Sequence, residues 1–475
     1  MPRRVTLLMA LWAVGCGAPS SDGPDGHAKA DSGAVGDVAV PAEGAVPTPT
    51  PAPVYGIFQL YGDEYASFRA QMGQSLEDYW RFVDQHVARL GVRFTRTNTL
   101  LIWGLVEPTL DAGYDWQNKL KTDEVVKAVY APASGKEMDM LLVIEPGRGT
   151  PKSPPFPKGL ESQYQRYVRA VVERYRSGGP AGVAVEHWQV MNEPFFQLNA
   201  NAMTVDQYVE LVKLTVEAVR AVDPAAKVVL GDLGDHLSKV IPKLAGVAID
   251  AVDIHFWCMR EGCAYEYPKL AAVRSLLDGN GHPTTAVWMG EFGSWVNSAK
   301  GLPLQSAEDQ ARWLLKAMVA NRAAGVSRIL WNNLASWSNF GGSDSSPFNF
   351  MGLLTNGTSS GDPAGDVGRE RVAHHAYRRL IAETSTRVAR LSGELPAPAP
   401  GVRAFRFEGI VDGTTRTIVW SDAGAQTATL SCQGSSLQVQ SLVPSSSGVF
   451  PEAKTVPCSA GSLSLSIGPD PLLVR

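Results

Sequence analysis

The sequence has no strong excess of charge of either sign. Its 43 Lys and Arg residues nearly balance 47 Asp and Glu residues, which gives a formal net charge of −4 at pH 7. Proteins that bind nucleic acid through its phosphates usually carry a clear excess of basic side chains. The composition therefore gives no reason to expect a nucleic-acid partner.

The sequence also lacks an apolar run long enough to cross a bilayer, which takes about 20 residues. The short apolar run Val5–Val14 follows the basic pair Arg3 and Arg4 and leads to Cys16. A basic start and a short apolar stretch predict an export signal. The Ala-Val-Gly-Cys tetrapeptide that ends this stretch resembles the bacterial lipobox, in which the cysteine is diacylated after cleavage.

This start predicts a lipoprotein-type signal peptide over residues 1–16, with Cys16 as the site of lipid attachment. The residue after Cys16 is Gly17. An Asp at that position would resemble a signal for retention in the inner membrane. We therefore expect an exported protein of the bacterial cell envelope, held by its lipid at the outer membrane or cell surface. Ordinary secretion is the alternative, and the Arg pair also hints at twin-arginine export.

Aromatic residues are missing from residues 17–53. This segment is rich in Gly, Ala, Pro, Ser and Asp, and a Pro-Thr-Pro-Thr-Pro run lies close to its end. Such a composition cannot bury enough apolar surface to fold. It predicts a disordered Pro/Gly/Ala-rich tether, extended along the Pro-Thr run.

Cysteine is scarce, with five in 475 residues. Apart from Cys16, the cysteines form two pairs along the chain, Cys258 with Cys263 and Cys432 with Cys458. An even number in an exported protein favours two local disulfides, with buried free thiols as the alternative. A metal site at the first pair is disfavoured, because no pair of His residues lies nearby at ligand spacing.

Between residues 54 and 383, short apolar runs alternate with helical patterns, which are clearest at Leu160–Tyr175, Val205–Val222 and Ala307–Ala324. Near-continuous apolar strands that alternate with helices indicate a parallel sheet covered by helices. Eight such units predict an α/β fold, a (β/α)8 or TIM barrel. The predicted strands are Val54–Leu60, Val92–Asn98, Met138–Ile144, Val185–Met191, Lys227–Leu230, Ala251–Phe256, Ala286–Gly290 and Arg328–Trp331.

The apolar runs over residues 384–475 are short and are bounded by Gly, Pro, Asp and Ser, with no helical period. They predict a small C-terminal antiparallel β-sandwich. Trp420 is the only tryptophan in this part, which argues against a surface for stacking sugars. The predicted strands are Val402–Phe407, Thr417–Trp420, Thr427–Ser431 and Leu463–Ile467.

Two glutamates follow apolar strands at positions where a barrel carries its active site. Glu193 comes shortly after Val185–Met191, and Glu291 comes directly after Ala286–Gly290. The C-terminal ends of the strands form the active-site face of a (β/α)8 barrel. Cleavage of a glycosidic bond needs one protonated carboxyl and one carboxylate. Glu193 and Glu291 are therefore the candidate catalytic pair.

Five sequence blocks, in order, resemble the clan-A glycoside hydrolases, whose acid/base follows strand four and whose nucleophile follows strand seven. The resemblance spans about residues 54 to 380. With the trailing β-sandwich it is greatest to family 39 and its relatives, and family 5 is the neighbouring option. The blocks are Trp103–Pro108 with Gly113–Trp116, Tyr167–Tyr175 with His187–Pro194, Asp253–Trp257, Trp288–Gly293 and Ile329–Trp331.

The resemblance implies that Glu193 is the general acid/base and Glu291 the nucleophile of a retaining mechanism, in which the carboxyls lie about 5–5.5 Å apart. It implies that Asn192 binds the 2-hydroxyl of the reacting sugar. Arg96, at the end of strand two, is expected beside Glu291, where its charge keeps that carboxyl ionised. His255 is expected near the acid/base, which it would orient.

Two tryptophans complete the expected substrate site. Trp331 is expected to form the apolar floor under the sugar ring. Trp257 stands where the family usually has a Tyr that donates its hydroxyl to the nucleophile. An indole N–H also donates one hydrogen bond, so either Trp257 substitutes, a Tyr comes from another loop, or the site is altered. Simple packing at the barrel mouth is the alternative for both tryptophans.

Four further titratable residues receive structural interpretations. Glu107 belongs to a helix-start motif, and Glu145 ends an apolar run without a preceding Asn. His374 and His375 lie in a helical stretch, which favours a helix face over a metal site. The sequence indicates no cofactor and no metal.

The leading hypothesis is a retaining glycoside hydrolase that acts on a β-linked or α-L-arabinosyl-type oligo- or polysaccharide. The lipid anchor is its expected link to the membrane, and we expect a monomer. One alternative is a surface carbohydrate-binding lipoprotein with reduced or no catalysis, which Trp257 in place of Tyr supports. The other is a transglycosylase that uses the same two carboxylates.

Overall fold

The structure, a computed structural model, describes residues 54–58, 76–130, 138–147, 155–258, 264–296, 305–336, 347–357 and 366–475. The signal peptide, Cys16 and the tether lie outside the described residues. Cys263 lies outside them as well. The lipid anchor and the first of the two disulfides therefore stay predictions.

Eight parallel strands close into a barrel in chain order, with the first strand hydrogen-bonded to both the second and the eighth. This confirms the predicted (β/α)8 fold. The strands are β1 Val54–Phe58, β2 Phe94–Ile102, β3 Asp139–Glu145, β4 His187–Val190, β5 Lys227–Leu230, β6 Ala251–Cys258, β7 Ala286–Ser294 and β8 Val326–Asn332.

Helices follow the strands and cover the outside of the barrel. The helix Val205–Val222 has the predicted bounds, because Thr204 and Gln207 form a reciprocal capping box at its start. Ser306 and Asp309 cap another helix in the same way. The α-helices are α1 Leu76–Leu90, α2 Trp103–Val106, α3 Thr122–Tyr130, α4 Glu161–Tyr175, α5 Pro194–Asn199, α6 Val205–Val222, α7 Leu237–Val240, α8 Leu270–Gly279, α9 Ala307–Ala323 and α10 Val372–Thr384.

The barrel interior changes from apolar to polar along the strands. Side chains two apart on a strand share a face, so β6 presents Ala251, Asp253 and His255 in turn to the interior. An apolar cluster that includes Ala251 fills the barrel near the start of the strands, and the polar groups lie beyond it. Its other buried members are Phe94, Leu141, Val229, Trp288 and Leu330.

The described residues contain no helix long and apolar enough to cross a membrane.

After β8 the chain adds a two-stranded antiparallel sheet, β9 Leu354–Asn356 and β10 Val367–Glu370, before α10.

The C-terminal part forms antiparallel sheets, as predicted. A six-stranded sheet has the order β11-β12-β13-β18-β15-β16, and β14 pairs with β17. A disulfide joins Cys432 to Cys458, with Cα atoms 6.2 Å apart. The strands are β11 Ala389–Glu394, β12 Val402–Gly409, β13 Thr415–Ser421, β14 Gln426–Ser431, β15 Ser436–Ser441, β16 Lys454–Pro457, β17 Ser462–Ile467 and β18 Leu472–Val474.

The β-sandwich is joined to the barrel by polar contacts around Asp422. This carboxylate lies 2.9 Å from Lys316 Nζ on α9 and accepts a hydrogen bond of 2.5 Å from the Tyr265 hydroxyl. Trp420 has no exposed surface, and its ring meets that of Tyr265 edge to face. Trp420 therefore packs against the barrel, which agrees with the expectation that it is no surface for stacking sugars.

A second contact involves Glu383, in the last turn of α10. Its carboxylate lies 3.1 Å from Arg416 and 3.1 Å from Arg475, both of the sandwich. Glu383 and Arg416 are buried, with side chains 8% and 7% exposed. A buried carboxylate that loses its partners is strongly destabilising, so the barrel depends on this contact.

We predict that a chain cut after Thr384 gives an insoluble barrel. The cut removes two of the three arginine partners of Glu383, Arg416 and Arg475, and exposes the surface around Tyr265 that Trp420 covers. The measurement is the soluble fraction and melting temperature of chain 54–384 beside chain 54–475. A soluble truncation with full activity would contradict the prediction.

Candidate active site

Glu193 and Glu291 lie at the same end of the barrel, where the strands finish. Glu193 follows β4 and precedes the short helix α5. Glu291 lies within β7, because that strand continues to Ser294 beyond its predicted end. His255 of β6 is the register partner of Glu291. Both carboxylates are buried, with 8% and 3% of their residue surfaces exposed.

Arg96 is the cation that holds this site together. It is the third residue of β2 and not its last, since the strand begins two residues later than predicted and runs on to Ile102. Its side chain has no exposed surface. One terminal nitrogen donates to Glu291 Oε1 at 2.8 Å, and the other donates to Asn192 Oδ1. Nε donates to Gln189 Oε1 at 2.8 Å.

His255 contacts both candidate catalytic carboxylates. Its Nδ1 lies 2.8 Å from Glu193 Oε1, and its Nε2 lies 3.8 Å from Glu291 Oε1 and 3.3 Å from Asp253 Oδ2. Burial by itself lowers the pKa of His255, but the Glu291 and Glu193 carboxylates outweigh it and raise that pKa well above its ordinary value. His255 is thus a cation between two acids.

Glu193 has the titration expected of a general acid. Burial raises its pKa to about 7, and the negative charge of Glu291 adds to the effect while His255 opposes it. Glu193 therefore holds its proton below neutral pH. Glu291 is in direct contact with the Arg96 guanidinium, and the two groups form a buried ion pair. The two carboxyls thus lie in different environments, since Glu193 is in contact with an imidazole and Glu291 is paired with a guanidinium.

Asn192 is held from both sides of its amide and at its backbone. Its Oδ1 accepts from Arg96, and its Nδ2 donates to Glu193 Oε2 at 3.1 Å. The backbone N–H of Asn192 donates to Glu145 Oε1 at 2.8 Å. Met191 just before it has a left-handed φ of 61°, a conformation that side chains rarely adopt and that concentrates at functional sites. Glu145 therefore positions the turn that presents Asn192.

Asp253 and Gln189 support the site from within the barrel, in roles that sequence reasoning did not assign. Gln189 Nε2 donates to Asp253 Oδ2 at 2.8 Å, and Asp253 Oδ1 accepts from Gly290 N–H at 2.5 Å. A Cβ at Gly290 would lie 2.3 Å from Asp253 Oδ2, so this close approach requires glycine. Burial alone would raise the pKa of Asp253, but hydrogen bonding and charge from His255 and the charge of Arg96 lower it.

Asp232 is a further acid at the rim that sequence reasoning missed. It follows β5 by two residues, and its place after a barrel strand was the signal that could have found it. Burial raises its pKa to about 6. One ligand atom each of Asp232, Glu193 and His255 lies within 4.8 Å of the others, a spacing that could also hold a metal ion. The 2.8 Å contact between His255 and Glu193 is equally the geometry of proton sharing.

Trp257 does not replace the phenol expected beside Glu291. Among the described residues its indole makes no hydrogen bond with Glu291, and its ring meets Phe348 edge to face at 5.1 Å. Asn332, at the end of β8, donates from Nδ2 to Glu291 Oε2 at 3.3 Å instead. Sequence reasoning missed Asn332, because nothing local shows that its side chain turns inward.

Trp331 does not lie at the floor of the site, contrary to expectation. It has no exposed surface, and its indole N–H donates to Met351 O at 3.0 Å. Successive strand residues point to opposite faces. Since Asn332 points inward to Glu291, Trp331 points outward, where it packs against Phe292 and Trp313. A sugar could stack on Trp331 only if these neighbours moved.

Glu107 is structural, as expected, although it ends a helix and does not begin one. It follows α2, is 1% exposed, and accepts a hydrogen bond of 2.5 Å from Trp103 Nε1 and another of 2.9 Å from the Asp111 N–H. The block Trp103–Pro108 therefore fixes a turn after β2 through Glu107, which is not among the residues that contact Glu291.

Comparisons with known proteins show the fold. No family model matches the sequence, and the search of curated proteins finds no match. Solved structures align over most of the chain. A glucosidase from Croceicoccus marinus has a TM-score of 0.60 and 16% identity, covering 89% of this chain and 95% of its own. A monomeric β-xylosidase from Caulobacter crescentus has a TM-score of 0.56 and 18% identity, covering 89% and 96%.

A GH51 α-L-arabinofuranosidase from Thermotoga petrophila has a TM-score of 0.58 and 13% identity, covering 89% of this chain and 97% of its own. A GH30 endoxylanase and GH39 enzymes also align over about nine-tenths of the chain. The resemblance to clan-A glycoside hydrolases is thus confirmed at the level of the fold. The chain has the barrel-and-sandwich fold of these glycoside hydrolases.

We predict that Glu193 titrates near pH 7, and that Glu291→Gln lowers its pKa by on the order of one unit, because a neighbouring negative charge is removed. The measurement is the carboxyl carbon shift of Glu193 by NMR across a pH series. The exposed Glu186, just before β4, supplies the control: Glu186→Gln should leave the titration unchanged. A Glu193 pKa near the ordinary value of about 4.3 would contradict this account.

Proposed function

We propose that the chain is a retaining glycoside hydrolase that cleaves the O-glycosidic bonds of a β-linked or α-L-arabinosyl-type glycan. One observation carries the proposal. A carboxyl with a pKa raised to about 7, Glu193, and a carboxylate paired with a buried arginine, Glu291, border the same imidazole at the active-site end of the barrel. The fold shared with glycosidases supports the same reading.

In the first step Glu291 attacks the anomeric carbon while Glu193 gives its proton to the leaving oxygen. The glycosyl group is then bound to Glu291 as an ester. As the Glu291 charge is consumed, its effect on Glu193 weakens, and the pKa of Glu193 falls. Glu193 is thereby left as a carboxylate that can take a proton from water in the second step. Water attack releases the sugar with its original configuration.

The neighbouring groups have defined parts in this scheme. Arg96 holds one oxygen of Glu291 and Asn332 contacts the other, so the attacking carboxylate is fixed. His255 orients Glu193 through its 2.8 Å contact. Asn192 is positioned to meet the 2-hydroxyl of the bound sugar, a contact that strengthens in the transition state.

The proposed substrate is an oligo- or polysaccharide, and three sugars come first in a screen. The similar structures are described as a glucosidase, a β-xylosidase and an α-L-arabinofuranosidase. Nitrophenyl glycosides of glucose, xylose and arabinofuranose are therefore the first probes, followed by polysaccharides. Glycan binding with no turnover across this screen would favour the carbohydrate-binding alternative, and transfer to added sugar acceptors would favour a transglycosylase.

We predict that azide separates the roles of the two glutamates. Glu193→Ala should lower kcat/KM on a substrate with a poor leaving group by about 10²–10⁴-fold. On a dinitrophenyl glycoside, whose leaving group departs without a proton, Glu291 should still form the ester. Azide should then restore turnover and give a glycosyl azide of retained configuration. Glu291→Ala should be inactive alone, and azide should give the opposite configuration. Product NMR distinguishes the two outcomes.

The control is Glu186→Ala, which removes an exposed carboxylate beside the same strand and should keep full activity. Full activity in both Glu193→Ala and Glu291→Ala would refute the assignment of the pair. An inverted anomeric product from the unaltered enzyme would refute the two-step mechanism.

We also propose that Cys16 carries a lipid that anchors the chain in the bacterial envelope. The support is the lipobox-like end of the N-terminal apolar run. We predict that the unaltered protein takes up a labelled fatty acid and fractionates with membranes, while Cys16→Ser is unlabelled and released. Equal release of both proteins would show ordinary secretion.

A further inference from the structure

Three histidines and one glutamate meet on the outside of the barrel, away from the site described above. His86 lies on α1, Glu370 ends β10, and His374 and His375 lie in the first turn of α10. We call these four residues the His–Glu cluster. His86 and His374 are buried, and the side chains of Glu370 and His375 are 16% and 15% exposed.

The spacing within the His–Glu cluster is too long for ordinary hydrogen bonds. Nδ1 of His86 and of His374 each lies 3.4 Å from a Glu370 oxygen, and Nδ1 of His375 lies 3.5 Å away. Hydrogen bonds between nitrogen and oxygen are usually 2.7–3.2 Å long. Two ligands that are each about 2.0–2.1 Å from a tetrahedral zinc ion lie about 3.3–3.4 Å apart. The distances from the histidine nitrogens to the Glu370 oxygens match this ligand-to-ligand distance.

Four of the six ring nitrogens in the cluster lack a hydrogen-bond partner in the part of the chain that the structure describes. Among the described residues, Nδ1 of His86, Nδ1 of His375 and both ring nitrogens of His374 are buried without a hydrogen bond. An unsatisfied buried polar group costs about 1–3 kcal/mol. Burial lowers the pKa of His86 to about 4 and that of His374 to about 3.

The cluster borders a cavity of about 390 Å³ that reaches the surface. Ser446 and Ser447 of the sandwich line its other side. A Cβ at Gly448 would lie 2.5 Å from His375 Nε2, so the missing side chain leaves room for that ring. Arg89 is the opposing charge, with a terminal nitrogen 3.1 Å from Glu370 Oε1, but its side chain is 55% exposed and can turn into solvent.

We propose that the His–Glu cluster binds a divalent transition metal ion, with zinc as the best fit. His86, His374 and Glu370 are the core ligands, since one ligand atom of each lies within 4.8 Å of the others, and His375 is the fourth. Neutral imidazoles with one carboxylate suit zinc, whereas calcium and magnesium prefer oxygen ligands. The ion would join α1 to α10 across the outside of the barrel, as a structural site independent of the proposed hydrolysis.

The sequence alone favoured a helix face for His374 and His375, because they lie in a helical stretch. Glu370 is only four residues before His374 in the chain. The fold supplies His86, which comes from a helix before the second strand.

The test is zinc binding to the full chain after treatment with a chelator, measured by titration calorimetry and by metal content after dialysis. We expect one zinc per chain and a higher melting temperature with zinc. Glu370→Gln and His374→Gln should each weaken binding by at least about 100-fold, since even residues that only support a ligand contribute 10–100-fold. X-ray absorption spectroscopy at the zinc edge should show nitrogen and oxygen ligands at about 2.0–2.1 Å from the zinc ion.

Two controls locate the ion. His282→Gln alters a buried histidine elsewhere and should leave binding unchanged. Asp232→Asn alters the second possible ligand group and should also leave it unchanged. In the absence of metal, Glu370→Gln should melt close to the metal-free parent, which separates ligand loss from misfolding. No binding by the parent, or equal binding by Glu370→Gln and His374→Gln, would overturn the proposal.

Discussion

The buried ion pair between Arg96 and Glu291 is the interaction on which the rest of the site depends. A guanidinium without exposed surface is stable inside a protein only when its N–H groups are paired. Arg96 meets this requirement with Glu291, Gln189 and Asn192. Satisfying one buried cation therefore fixes the positions of the candidate nucleophile and of the amide that would meet the sugar.

The charges around this pair do not balance unless some carboxyls hold protons. Four acids, Glu193, Asp232, Asp253 and Glu291, surround two cations, Arg96 and His255. Asp253 and Glu291 both form ion pairs with Arg96. The pKa values of Glu193 and Asp232 are raised to about 7 and about 6. A general acid at neutral pH is thus a consequence of crowding four carboxyls around two cations in a buried site. The carboxylates of Glu291 and Glu193 in turn raise the pKa of His255.

Much of the fold and part of the candidate site could be predicted from the sequence. The helix Val205–Val222 has its predicted bounds, because apolar spacing and a capping box are local signals. Eight strands in a barrel were predicted as well, but the closure itself is not visible in the sequence and is shown by the pairing of β1 with β8. Glu193 and Glu291 could be found because each follows an apolar run, and in a parallel barrel all strands end at the same face. The sugar-floor role predicted for Trp331 was wrong, since which strand face points inward depends on register.

The sequence by itself determined the alternation of strands with helices and the two glutamates at strand ends, since periodicity and strand-end position are properties of neighbouring residues. Only the tertiary structure decided that Asn332 and not Trp257 donates to Glu291, because which side chain reaches that carboxylate follows from how β6, β7 and β8 align. It also decided that His86 meets Glu370. Contacts between residues far apart in the chain arise from closure of the whole barrel, and no local pattern of residues records them.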